Sequence, residues 1–136
     1  MADLTITAAD VGYLENNLLE KFTATAAEAI TAGEAVRMDT TSGKITGANG
    51  TAAGEARCCG LATMSVAAGM PVTVVRKGLL DLGDALGDLT YDDDVYLSDT
   101  DGTLADATGT VTLIVGTVVP RENYPSAADK LLRIDL

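Results

Sequence analysis

Apolar and polar positions alternate with a period of two along most of the chain after about residue 33, the spacing that turns one face of a strand to a core and the other to water. Val36 and Met38 alternate with Ala35, Arg37 and Asp39. Lys44-Ile45-Thr46 is a short run bracketed by Gly43 and by Ala48-Asn49-Gly50, and the Asn-Gly pair predicts a hairpin or tight loop. Runs from Ala56 to Thr63 and from Met70 to Arg76, parted by Ala67-Ala68-Gly69, predict sequential antiparallel strands. Val95 and Leu97 form the next alternating pair, ended by Ser98-Asp99-Thr100-Asp101-Gly102. The longest apolar run, Val111 to Val119, is broken only by Thr112, Gly116 and Thr117, which predicts a central strand with both faces covered. Leu132, Ile134 and Leu136 alternate with Leu131, Arg133 and Asp135, one more strand. Short, evenly spaced strands with Gly-rich turns predict an all-β sandwich or small antiparallel barrel.

The first 32 residues follow a different rule. Leu4 and Ile6 against Asp3, Thr5 and Thr7 make one isolated alternating strand. Thr7-Ala8-Ala9-Asp10 then has the form of a capping box ahead of Val11, Leu14, Leu18 and Phe22, whose spacing fits a short amphipathic helix. Gly12, costing about 1 kcal/mol relative to Ala in a helix, and Asn16-Asn17 favour an extended arm instead, so both forms stay open. A lone strand leaves its backbone groups unsatisfied, so it pairs either with its own sheet or with another chain.

At 136 residues the chain has room for one domain. A third of its apolar residues are Ala, and 21 Ala with 18 Thr and 14 Gly dominate the chain, so the core must be built from small side chains. There is one Phe, and there are no Trp and no His, which removes the commonest general base, the His-dependent nucleophiles and most zinc sites. The expectation is a protein without catalytic residues, metal or cofactor. A net charge of −11 repels phosphate backbones and anionic lipid, so neither nucleic acid nor a membrane surface is expected as a partner. The opening Met1-Ala2-Asp3-Leu4-Thr5 lacks the basic start and apolar run of a signal peptide, which predicts synthesis and residence in a cytoplasm. Cys58 and Cys59 are adjacent and, on a strand, point to opposite faces, so they are expected as free thiols.

Charge is uneven along the chain. Residues 1–36 sum to −5, 37–80 to +3 and 81–136 to −9. Between 81 and 106 stand nine Asp and no base, a segment that repels itself unless bases or solvent answer it. Asp92-Asp93-Asp94 and Asp99-Thr100-Asp101-Gly102 could be weighed as a calcium loop, but the ligand spacing of the helix-loop-helix pattern is absent and turn formation explains the same residues. Paired Asp residues for hydrolysis lie in solvated turns without a deep pocket to shift them. The mid-chain bases Arg37, Lys44, Arg57, Arg76 and Lys77 are either a solvated strand edge or a contact with Asp92, Asp93 and Asp94 of a neighbouring copy, a head-to-tail arrangement that closes into a ring.

Several stretches, in order, carry a resemblance: Met1-Ala2-Asp3-Leu4-Thr5-Ile6-Thr7-Ala8-Ala9-Asp10-Val11, Ile30-Thr31-Ala32-Gly33-Glu34-Ala35-Val36, Gly60-Leu61-Ala62, Gly69-Met70-Pro71-Val72-Thr73-Val74, Asp94-Val95-Tyr96-Leu97-Ser98 with Gly102-Thr103-Leu104, and Val115-Gly116-Thr117-Val118-Val119. Together they resemble the head decoration, or capsid cement, proteins of tailed bacteriophages, over most of residues 1 to 120. The resemblance implies a small antiparallel β-barrel or β-tulip body, usually trimeric, on the outer surface of the expanded capsid, clamping major capsid protein subunits. It also implies an N-terminal arm that adds a strand to capsid sheets, here residues 1–22 ahead of a body of 23–136. Leu4, Thr5, Ile6, Thr7, Val11, Leu14 and Leu18 would be its contacting residues. Residues 12–22 and the tail from Arg121 depart from the family's commoner look. The rival reading is a β-sandwich adhesion or carbohydrate-binding module, whose aromatic platform would have to come from Tyr13, Tyr91, Tyr96 and Tyr124.

Overall fold

The alternating runs become strands, and every pairing between them is antiparallel. The computed structural model describes residues 2–15, 18–120 and 130–136. Among them lie β1 (Val11–Tyr13), β2 (Glu20–Thr25), β3 (Ala35–Met38), β4 (Ile45–Gly47), β5 (Cys58–Ala62), β6 (Pro71–Leu82), β7 (Asp94–Leu97), β8 (Leu104–Ala105), β9 (Ile114–Pro120) and β10 (Lys130–Asp135). The chain is all-β, one antiparallel sheet curled into a half-barrel. Its path runs β4-β3-β5-β6-β10-β9-β7-β8, with β1 and β2 added to β6.

β6 is the axis of the fold. Val74 and Val75 pair with both β2 and β5, and Leu80 pairs with both β1 and β10, so this strand is bonded along both edges. The two ends of the path are drawn together by backbone bonds, from Ala35 N–H to the Gly102 carbonyl (3.0 Å), Gly102 N–H to Ala48 (2.7 Å) and Gly50 N–H to Ser98 (2.7 Å). Curling encloses a main cluster that includes Leu61, Leu80, Leu82, Leu97, Leu104, Val115, Leu132 and Ile134. A second, smaller cluster of Ala26, Ile30, Val36, Ile45, Ala62, Val72 and Val74 lies along β3 to β6. Alternation explains the division: Val75 belongs to the first cluster and its neighbours Val72 and Val74 to the second.

The choice left open between a helix and an extended arm resolves toward the extended form: among the described residues of 8–22, Ala8–Asp10 is a single 3₁₀ turn, followed by β1 and later β2. The second edge of β6 supplies ladder partners to Val11, Gly12 and Tyr13, which outweighs a helix already weakened by Gly12. The division at residue 22 therefore falls inside β2. Of the two forms expected at Asn49-Gly50 the structure shows the tight loop, with the Asn49 side-chain oxygen accepting Thr51 N–H at 3.1 Å; the hairpin of β3 and β4 turns instead through Asp39 to Gly43, where Gly43 N–H bonds the Asp39 carbonyl at 2.8 Å. The long apolar run is not covered on both faces along its length, since Ile114 at its entry is 45% exposed.

Candidate docking site

The first residues return to the far edge of the sheet. Asp3 forms an antiparallel bridge with Ala105 of β8, with Leu4 N–H donating to the Leu104 carbonyl (2.8 Å) and Asp106 N–H to the Ala2 carbonyl (3.0 Å). The Asp3 carboxylate accepts the hydroxyls of Ser98 and Thr100, the second at 2.8 Å, and the Ala2 N–H donates to the Asp106 carboxylate at 2.8 Å. Alternation then continues: Leu4 and Ile6 are half-buried against the main cluster, while Thr5 and Thr7 are exposed. At the other end Thr7 accepts a backbone bond from Asp10 (2.9 Å), and β1 follows on β6.

Between these anchors the strand has an open edge. Among the described residues Thr5, Ile6 and Thr7 make no backbone hydrogen bond except the one accepted by the Thr7 carbonyl. Because Leu4 N–H points at β8, the N–H and C=O of Thr5 and the N–H of Thr7 point the other way, as successive residues of a strand do. An extended segment fixed at both ends with unpaired outward groups can accept an added strand. Beside it lies a groove of about 440 Å³ with Asp84, Asp88 and Asp106 on its walls.

Of the seven residues assigned to the arm, Leu4, Thr5, Ile6 and Thr7 lie on this edge. Val11 is in β1 opposite Leu82, Leu14 donates its N–H to Leu79 (3.0 Å), and Leu18 is 52% exposed. The described part of the arm thus lies on the body itself, and Val11–Tyr13 and residues 20–22 belong to the sheet through β6.

Three of the bases assigned to a subunit contact already meet acids of their own chain. Arg37 lies 3.8 Å from Glu55, Arg76 lies 3.6 Å from Glu20, and Lys77 lies 3.5 Å from Asp135. Arg76 also donates twice to the Leu136 oxygen, at 3.3 and 3.0 Å. Arg57 is exposed and has no ion-pair partner among the described residues. With Arg76, Met38 and Ile114 it lines an open groove of about 750 Å³. Asp92, Asp93 and Asp94 stand elsewhere, at the entry to β7, where the Asp93 carboxylate accepts Thr90 N–H (2.8 Å) and Asp94 pairs with Thr117.

Among the described residues, several acids of this segment are met by N–H groups and hydroxyls. Asp99 accepts both the N–H and the hydroxyl of Thr110 at 2.8 Å, Asp101 accepts the Asn49 amide at 3.0 Å, and Asp81 accepts Gly83 N–H at 2.9 Å. Among the described residues no group of three His, Cys, Asp or Glu converges as a metal site would. The thiols lie against different clusters, Cys58 on the main one and Cys59 on the smaller. Burial pushes the Cys58 thiol up to about 12 and raises Cys59 as well, so neither is a ready thiolate. Tyr124 lies outside the described residues; Tyr13 accepts a bond from Lys21, and Tyr91 lies under the Lys130 ammonium.

Glu34 has a measurable pH signature. Burial raises its pKa; the bond from Thr31 N–H opposes that shift, and the nearby Glu28 and Asp101 charges add to it. Its ionised form is thus the less stable one in the fold, so stability is lost as pH rises through the raised pKa and regained below it. Thermal melts from pH 4 to 7 are expected to show this loss in the parent chain and not in Glu34→Gln, which melts higher than the parent at pH 7.

Compared with known protein families and with curated proteins, the chain matches none.

Proposed function

We propose that this chain is a structural decoration protein of a tailed-bacteriophage head, binding the outside of the expanded capsid and tying major capsid subunits together. The observation that carries the reading is the backbone edge at Thr5 to Thr7, anchored at both ends and, among the described residues, without ladder partners of its own, which leaves it open to a strand of another protein. It falls within the opening residues that resemble the decoration family. The all-β body supports the same reading, since a cement protein needs a stiff frame that presents contacts rather than a cleft. In this reading the chain is made in the host cytoplasm, acts without cofactor or catalysis, and ends on the virion surface.

Three copies associate in this account, which multiplies a modest contact through avidity on a repeating lattice. The groove with exposed Met38 and Ile114 beside Arg57 is the face we assign to the neighbouring copy. Asp92, Asp93 and Asp94 of that copy remain the acids assigned to answer it. Co-sedimentation with expanded heads and with unexpanded proheads of the parent phage tests the function. Saturable pelleting with expanded heads alone is expected; a chain left in the supernatant with both sinks the proposal.

A further inference from the structure

We infer that Asp3 is a positioning residue, a clamp that holds the Thr5–Thr7 edge in its docking shape before a partner arrives. This rests on the docking role proposed above for that edge. A strand presented on a loose tail loses its conformational freedom on binding, whereas one already held extended does not. The downstream end is fixed by the Thr7–Asp10 bond and by β1 on β6. The upstream end has a single antiparallel bridge, and the Asp3 carboxylate secures it.

The group that Asp3 grips is itself immobile. Ser98 is fully buried, donates its N–H to the Thr103 carbonyl at 2.9 Å, and accepts Thr100 N–H on its hydroxyl at 3.0 Å. One carboxylate thus ties the opening segment to two hydroxyls of the β7–β8 turn. Without it a buried hydroxyl loses its acceptor, and an isolated bridge of two backbone bonds, with the Ala2–Asp106 bond beside it, is left to hold the segment against fraying. The packing of Leu4 and Ile6 keeps the side chains near the core but does not fix which way the Thr5 backbone faces.

The test uses the full chain as Asp3→Ala and Asp3→Asn. In the free protein, amide exchange at Leu4 and Asp106, the two bridge donors, is expected to quicken roughly tenfold in Asp3→Ala while β6 and β10 keep their protection. On expanded heads the apparent affinity of Asp3→Ala falls roughly tenfold, and Asp3→Asn, whose amide oxygen still accepts one hydroxyl, recovers part of the loss. Unchanged exchange at Leu4 and Asp106 in Asp3→Ala overturns the clamp whatever the heads show. A chain lacking residues 2–7 separates the clamp from the reading beneath it. If that chain pellets as well as the parent, the docking role falls and the clamp with it. If it fails to pellet while Asp3→Ala binds like the parent, the clamp alone is wrong.

Discussion

Gly116→Ala is expected to destabilise the fold by about 3 kcal/mol, the upper range for forcing extra volume into a packed interior. Thermal denaturation would then show a fall of roughly 10 °C for a domain of this size. Gly116 sits in β9 between Val95 of β7 and Ile134 of β10. A Cβ there would collide with the Arg133 carbonyl oxygen, which is backbone and cannot swing aside. Gly60 in β5 is a parallel case on the other arm of the curl: its φ of +155° suits glycine, and an added Cβ would strike the Val75 carbonyl. Both glycines let a neighbouring strand's backbone approach closer than a side chain would allow. Gly54→Ala, where nothing stands within 4 Å of the added carbon, is the control expected to leave the melting temperature nearly unchanged. Equal melting of Gly116→Ala and Gly54→Ala would show that the curl does not depend on that close approach.

Thr5→Pro is expected to weaken head binding by about 2 kcal/mol, roughly thirtyfold, by deleting an outward N–H and leaving its partner's carbonyl unpaired. The same change should barely alter melting, because Thr5 N–H has no acceptor within the described part of its own chain and Leu4 and Ile6 keep their packing. That separation of binding from stability makes proline a cleaner probe than truncation. Removing residues 1–22 would strip β1 and half of β2 from β6 and confound docking with unfolding. Co-sedimentation isotherms for the parent and Thr5→Pro on expanded heads give the ratio directly. Isotherms that superimpose would exclude the Thr5 backbone from the contact.

The strands were legible because their signal is local. Val95 and Leu97, Val72 and Val74, and Leu132 and Ile134 each alternate with polar or opposite-facing neighbours, and each falls in a strand. The length of β6 was not legible: Lys77-Gly78 interrupts the apolar pattern, yet the strand runs to Leu82 because β10 and β1 bond it from both sides. The same limit hid the fate of residues 11–13, whose spacing suits a helix and whose partner strand lies more than sixty positions away. Partner choice among the charges was equally out of reach. The self-repelling Asp run is met by Thr110, Asn49 and Gly83, and only the abundance of Thr hinted that hydroxyls would do this. Asp3 was visible only as a polar residue in an alternating strand, since its hydroxyl partners at Ser98 and Thr100 lie nearly a hundred positions on.

Amide exchange on decorated heads reads out the docking proposed for the Thr5–Thr7 backbone. Thr5 and Thr7 are expected to exchange freely in the unbound chain and to become protected on expanded heads, while Leu4 and Asp106, already bonded within the chain, change little. Saturable pelleting with Thr5 and Thr7 still exchanging at their free rates would contradict this docking and move the contact to another face of the body.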